Sequence, residues 1–235
     1  MRTSKEIWLE HTESTMDDGK KYEGKEDYFF INAKTQHKGR GTQGRSWISP
    51  KGNVFLTIGI LKNKLNKNRK KLFHIESGLI IANAIKPFIK SNYLPMLELK
   101  WPNDILINQL KVCGILIETG MNHILIGIGI NVNAAPNISD GGRASGKLSD
   151  YRLKPFQNKH LILSIFNNFM ENIEKKRAPE AIISEWKSMV NWKRTFRLRD
   201  NLDLQVRPIE INEYGQLKIV HTNGQTQLLT SEYLI

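Results

Sequence analysis

The chain has 235 residues, enough for one sizeable domain with a small appendage and a core that needs no cross-links. It is 40% hydrophobic and 25% charged, the balance of a globular protein, and its single cysteine excludes an internal disulfide. Net charge is +12, which makes an anionic partner a candidate, whereas no apolar run approaches the roughly 18 residues of a membrane span.

The first fifteen residues, MRTSKEIWLEHTEST, carry neither an apolar core nor a small-residue cleavage site, so a cytoplasmic protein is expected. DYFFINAKT (27–35) and NVFLTIGIL (53–61) read as strands around a glycine-rich stretch. The basic run KNKLNKNRKK (62–71) has no interleaved aromatics and reads as a solvated loop entering a helix. Apolar residues at 72, 75, 79, 82, 85 and 89 predict a buried helix. LELKW (97–101), 104–118 and HILIGIGINVN (123–133) are strand-like, and Cys113 falls inside an apolar run as a buried thiol. Residues 134–150 read as irregular. Helices are expected over 161–176 and, started by Pro179, over 178–189. From about Asn191, four short strands with an Asn223-Gly224 hairpin turn suggest a small β-barrel, so the expected division is 1–190 and 191–235. Six scattered histidines form no HExxH or Cys/His cluster, and no metal site is expected from protein ligands.

GRGTQGRSW (39–47) contains G-x-G-x-x-G, but RSWISPKGN and a second strand follow where a dinucleotide fold requires a helix. No GK[ST] follows either, so it is not a P-loop. What remains is a flexible cationic loop. Its glycines permit close backbone approach, Arg40 and Arg45 offer forked donors to oxyanions, and Trp47 offers a flat face; a plain polar surface loop fits as well. KWPND (100–104) inserts polar residues between apolar strands, as a capped turn or a site. Lys111 precedes the buried GILIE (114–118), and GIGINVN (127–133) interrupts an apolar strand with glycines, by a bulge or a ligand's close approach.

In chain order, EST (13–15), Q-x-x-GRG-x-x-GR-x-W-x-SPKGN (36–53), KWPND, K-x-x-GILIE (111–118) and GIGINVN resemble the biotin–protein ligases. The resemblance implies an α/β (α+β) catalytic domain on a mixed sheet, related to class II tRNA synthetases, with a small C-terminal SH3-like domain. It implies two steps: biotin and ATP, with Mg²⁺, give biotinyl-5′-AMP, and a lysine of a biotin carrier domain, such as that of acetyl-CoA carboxylase, then takes the biotin. On this resemblance Lys111 contacts the biotin carboxylate and α-phosphate, Arg40 and Arg45 steady the adenylate and departing phosphates, and Asp104 orients the incoming lysine or assists the metal. Ser14, Thr15, Gln36, Gly39, Arg40, Lys111, Gly114, Gly127 and Gly129 line the biotin slot. Arg45, Trp47, Asn131 and Lys111 meet ATP. Lys100 has a weaker claim, through a structural carboxylate.

Two positions depart from the family pattern. Thr42 stands where a second arginine is common, implying looser retention of biotinyl-AMP or use of another cation such as Lys51. Met16 stands where asparagine often follows Ser-Thr. A lipoate or octanoate ligase or transferase on the same fold is the nearest alternative, though it would carry an RRxSGGG-like segment. A DNA-binding regulator is a remoter one: only 12 residues precede Glu13, and no helix-turn-helix domain or specific DNA binding is expected. A monomer or homodimer without membrane contact is expected, with the 36–53 loop mobile until a ligand arrives.

Overall fold

The structure, a computed structural model, describes residues 3–65, 67–136, 144–175, 177–198 and 201–230. Strands β1 (Ser4–Thr12), β2 (Tyr28–Gln36), β3 (Val54–Leu61), β4 (Leu97–Lys100), β5 (Asp104–Ile107), β6 (Leu110–Thr119) and β7 (His123–Ile130) form one seven-stranded sheet in the order β1-β2-β3-β7-β6-β5-β4. Only β1 and β2 pair in parallel, so the sheet is mixed.

Period-2 alternation divides this sheet into two unlike faces. Tyr28, Phe30, Leu56, Ile58, Ile115, Ile126 and Ile128 point into the main core, which α2 (Lys67–Ile85) and α3 (Asn158–Glu174) cover. Phe29, Ile31, Leu116 and Leu125 point the other way, against Met16 of the short helix α1 (Thr15–Tyr22). Burial on both sides explains why YFFI reads as an unbroken apolar run rather than an alternating one. Cys113 lies in the main core, where burial pushes its thiol pKa far up and leaves it inert.

β1 and α1 were not expected from the sequence. SKEIWLEHT alternates, but Lys5, Glu6, Glu10 and His11 surround its apolar residues and it lies at the sheet edge, so half of it looks like solvated chain. The basic run also differs from expectation. Helix α2 begins at Lys67, inside the run, and Arg69 is 5% exposed. Its Nε and Nη2 donate to the fully buried Glu76 at 2.7 and 2.6 Å, and its Nη1 donates to the carbonyls of Ile173 and Lys175. Arg69 thus satisfies carbonyls left bare at the end of α3, where a cation suits the helix dipole.

Helix α4 (Pro179–Ser188) leads to β8 (Phe196–Leu198), β9 (Asn201–Ile211), β10 (Leu217–His221) and β11 (Thr226–Leu229). Among the described residues these form a second, four-stranded antiparallel sheet in the order β11-β10-β9-β8, at the place where a small β unit was expected. One carbonyl joins it both to the turn after β4 and to α2. Gly215 O accepts Trp101 Nε1–H at 2.9 Å and lies 2.9 Å from His74 Nε2. Desolvation lowers the pKa of His74, so its neutral ring donates Nε2–H to that oxygen. Trp101 belongs to KWPND, and the same turn sends Lys100 over the Phe196 ring at 5.7 Å.

Candidate functional site

The α1-facing side of β3, β7, β6 and β5 forms the floor of the site. Antiparallel register places Phe55, Gly129, Gly114 and Asp104 side by side in one row. The neighbouring row holds Thr57, Gly127 and Leu116. Residues directly opposite share a face, so glycines at 114 and 129 leave a bare patch of backbone beside the Asp104 carboxylate.

Lys111 reaches this patch because of a bulge. Ile105 pairs with Cys113, but Leu106 pairs with Lys111, so Val112 is an extra residue in β6. Without it, Lys111 would share the core-facing parity of Cys113. With it, the side chain turns to the floor. Lys111 Nζ lies 2.6 Å from Asp104 Oδ1 and 5.4 Å from the centre of the Trp47 ring.

Trp47 lies across both glycines. A Cβ on Gly114 would come within 2.6 Å of its Cζ3, and one on Gly129 would overlap its Cε2. The two glycines therefore leave bare backbone on which the indole rests. Three buried polar atoms here make no hydrogen bond: Trp47 Nε1, Asn131 Oδ1 and Ser145 Oγ. Buried polar atoms are nearly always satisfied, so this trio marks a place for a polar ligand. Asn131 is held by its own backbone, N to Val112 O and O from Leu148 N, while its Nδ2 reaches Lys111 O at 3.4 Å. Asn53, last residue of SPKGN, fixes the chain beyond β7. Its Oδ1 accepts the amides of Val132, Asn133 and Ala134, each at 3.0 Å.

The second half of the site lies toward α1. Thr57 Oγ1 donates to Thr15 Oγ1 at 2.9 Å, and Gln36 Oε1 is 3.4 Å from Thr15 N. A Cβ on Gly39 would strike Gln36 Nε2 and the Trp47 carbonyl. Met16 lies over Gly127, where a Cβ would be 2.8 Å from its sulfur, so a thioether stands where the resemblance led one to expect an asparagine. Arg40 binds Glu118 through Nε (3.0 Å) and Nη2 (3.3 Å), and Nη1 reaches Ser14 Oγ at 3.0 Å and Asp17 at 2.9 Å. Lys20 also meets Glu118, at 2.7 Å. Burial pushes the Glu118 carboxyl up, but hydrogen bonds from Arg40 and Lys20 outweigh it and leave the pKa lowered.

The expected residues thus fall into two clusters. Lys111, Asp104, Trp47, Gly114, Gly129 and Asn131 gather at one end; Ser14, Thr15, Gln36, Gly39, Arg40 and Gly127 gather at the other. Arg45 is turned to its own loop, with Nη2 on Thr42 Oγ1 at 2.6 Å and Nε on Thr42 O at 3.2 Å. Sequence reasoning missed Thr57, Asp17 and Glu118, and also Ser145, which pairs with Lys111 in a parallel bridge. GILIE had its glutamate in view, but nothing local marked its partner. Among the described residues no group of three His, Cys, Asp or Glu could hold a metal ion.

Comparison with known proteins gives this arrangement a context. A biotin–[acetyl-CoA-carboxylase] ligase from Paracoccus denitrificans is 32% identical over 113 residues, 46% of each chain. A bifunctional ligase/repressor from Bacillus subtilis is 36% identical over 112 residues, 46% of this chain and 33% of that one. These alignments span less than half of those curated relatives. Solved structures match over more of the chain. A Leishmania major biotin protein ligase in complex with biotinyl-5-AMP superposes with a TM-score of 0.75 at 26% identity, over 97% of this chain and 99% of that one. An Aquifex aeolicus biotin protein ligase in complex with biotin and ATP gives 0.79 at 23% identity, over 98% and 97%, a likeness of fold. The sequence profile of the biotin/lipoate A/B protein ligase family matches residues 8–133, from the edge strand through the asparagines after β7. That span is more than half of the chain and holds both clusters, except Ser145, and the chain belongs to this family.

Proposed function

We propose that the protein is a biotin–protein ligase, which joins biotin to AMP and then to a lysine of a carboxylase's biotin carrier domain. The observation that carries this reading is the Lys111 ammonium, aimed by the bulge at Val112 onto a glycine floor beside Asp104 and Trp47. In the first step a biotin carboxylate oxygen attacks the α-phosphorus of ATP. The new O–P bond forms as the bond to pyrophosphate breaks. Lys111 has three N–H donors; one can stay on Asp104 while the others take the carboxylate and an α-phosphate oxygen, where negative charge accumulates. In the second step a neutral carrier amine attacks the acyl carbon, AMP leaves, and the Asp104 carboxylate receives or orients the amine proton.

Trp47 and Asn131 are assigned to the adenine, the first by stacking and the second through its unpaired Oδ1. Ser14, Thr15, Gln36 and the backbone at Gly39 and Arg40 are assigned to the ureido ring of biotin. Arg45 is assigned to the departing phosphates, which requires it to turn from Thr42. Arg40 is engaged at the α1 end and is assigned there. Mg²⁺ fits as an ion carried by the phosphates, since a metal that keeps most of its waters needs one carboxylate and not a protein cage. When bound it would offset charge on the pyrophosphate. The catalytic unit is assigned to 1–190 and the smaller unit to 191–235. No helix among the described residues is long and apolar enough to cross a membrane, and a cytoplasmic location is part of the proposal.

The test is direct. Purified protein with ATP, Mg²⁺, labelled biotin and a carrier domain should label that domain, with lipoate failing to compete. Labelling with lipoate in place of biotin, or no ATP-dependent labelling at all, sinks the reading.

A further inference from the structure

The guanidinium of Arg40 has partners on two elements at once, and all three of its nitrogens are engaged. Nε and Nη2 grip Glu118 on β6, and Nη1 takes Ser14 and Asp17 at the start of α1. Arg40 itself belongs to the glycine-rich loop, whose inner backbone bonds include Gly41 N to Arg45 O, Arg45 N to Thr42 O and Trp47 N to Gly39 O. At its base the loop is stitched to the chain before α1 by His37 N to Thr12 O and Lys38 N to Glu13 O. Through Arg40 the segment from Gly39 to Trp47 gains a charged side-chain anchor on β6 and α1 besides those bonds.

We infer that Glu118, assisted by Asp17, is a positioning residue that clamps Arg40 so that the Gly39–Arg40 backbone and the Ser14 hydroxyl form a fixed wall of the acyl pocket. This rests on the biotin-ligase reading and deepens it. Arg40 then acts by holding the loop, not by meeting phosphates. The geometry favours this over an incidental surface pair. The Arg–carboxylate contact is two-pronged, both side chains are about three-quarters covered (27% and 25% exposed), and Lys20 steadies the same carboxylate from α1. Glu118 also sits on the floor side of β6, two residues beyond Leu116 and four beyond Gly114, so the clamp closes on the strand that carries Lys111.

Glu118→Gln keeps the shape and removes the charge. In ligand-free protein, hydrogen exchange at the Gly41 and Trp47 amides should accelerate by about 3- to 10-fold, the range for a half-buried charge-assisted pair. Unchanged exchange overturns the clamp, whatever the protein's activity. In the labelling assay the variant should raise KM for biotin by a similar factor, with kcat and KM for ATP held within about two-fold. A fall in kcat at unchanged KM for biotin overturns the positioning role. Asp17→Asn should move the same quantities less. Arg40→Gln combined with Glu118→Gln should be no worse than Arg40→Gln alone, because the two act through one contact; effects that multiply overturn it. An inactive wild type would sink the ligase reading and leave the exchange result to decide the clamp.

Discussion

Strands β6 and β7 show different chemistry to their two sides. Toward α2 and α3 they present Cys113, Ile115, Ile124, Ile126, Ile128 and Ile130, a dry surface packed to closure. Toward α1 and the glycine-rich loop they present Gly114, Leu116, Glu118, Leu125, Gly127 and Gly129. The same backbone ladder serves both, so the difference is one of side-chain parity alone. The core side gains stability from bulk. The site side gives up bulk for access, and it is closed by elements that reach over it: Met16 from α1, Trp47 from the loop. Substitutions on the two sides should therefore fail in different currencies, fold on one and catalysis on the other.

The largest expected effect is at Lys111. Lys111→Ala removes the only side chain that the bulge delivers to the bare patch. Steady-state labelling should fall by about 100- to 1,000-fold, the usual cost of losing one preorganised donor to a developing charge. Circular dichroism should stay close to wild type, with the melting temperature lowered only as far as the buried Asp104 carboxylate's loss of its cation requires. A loss of fold together with activity would erase the contrast between the faces.

Ile128→Ala is its counterpart one parity step away. It opens a cavity against the helices and should cost about 2–4 kcal/mol of stability by denaturant unfolding. KM for biotin and ATP, measured below the melting range, should hardly move. A large KM change would mean that the core side is not mechanically separate from the floor.

How far could this have been read from the chain? The glycines at 114, 127 and 129 were legible because they break apolar runs that need bulk on one side only. The strands and three long helices were legible from period. The edge strand β1 was not, because its outward charges imitate a loop. Nor was the clamp on Arg40, since Arg40 and Glu118 are 78 positions apart and no local pattern links them. Arg69 shows the same limit from the other direction. In sequence it is one basic residue in a run of them, yet it is buried against Glu76 and the end of α3. Lys111 could be chosen from its motif, but the bulge that aims it depends on pairing between two strands.

A smaller effect is expected where the loop meets the floor. Gly129→Ala places a methyl group against the Trp47 ring, which must lift. KM for ATP should rise by roughly 10-fold, because lost stacking is worth about 1–1.5 kcal/mol, while KM for biotin changes less. The indole fluorescence should shift in the same variant. A rise confined to KM for biotin would reassign Trp47 to the acyl half of the site.

The smallest expected effect tests the departure at Thr42. Its hydroxyl and carbonyl both receive Arg45, so in this chain the position holds a neighbouring cation in place of supplying one. Thr42→Arg would remove that hydroxyl and set a second positive charge beside Arg45, and like charges so close push apart. The freed guanidiniums would both be available to the adenylate phosphate. The rate at which biotinyl-AMP leaves the enzyme, followed by rapid dilution into unlabelled biotin and ATP, should then fall by about 3-fold, the scale of one exposed charge contact. Glutamine at the same position separates the two causes, because Thr42→Gln loses the Arg45 anchor without adding charge. A slower release with arginine but not glutamine assigns the effect to the added cation. Equal slowing by both assigns it to the release of Arg45. An unchanged rate in Thr42→Arg would mean that retention of the intermediate is set by the floor and Trp47, and that the loop's charge contributes nothing to it.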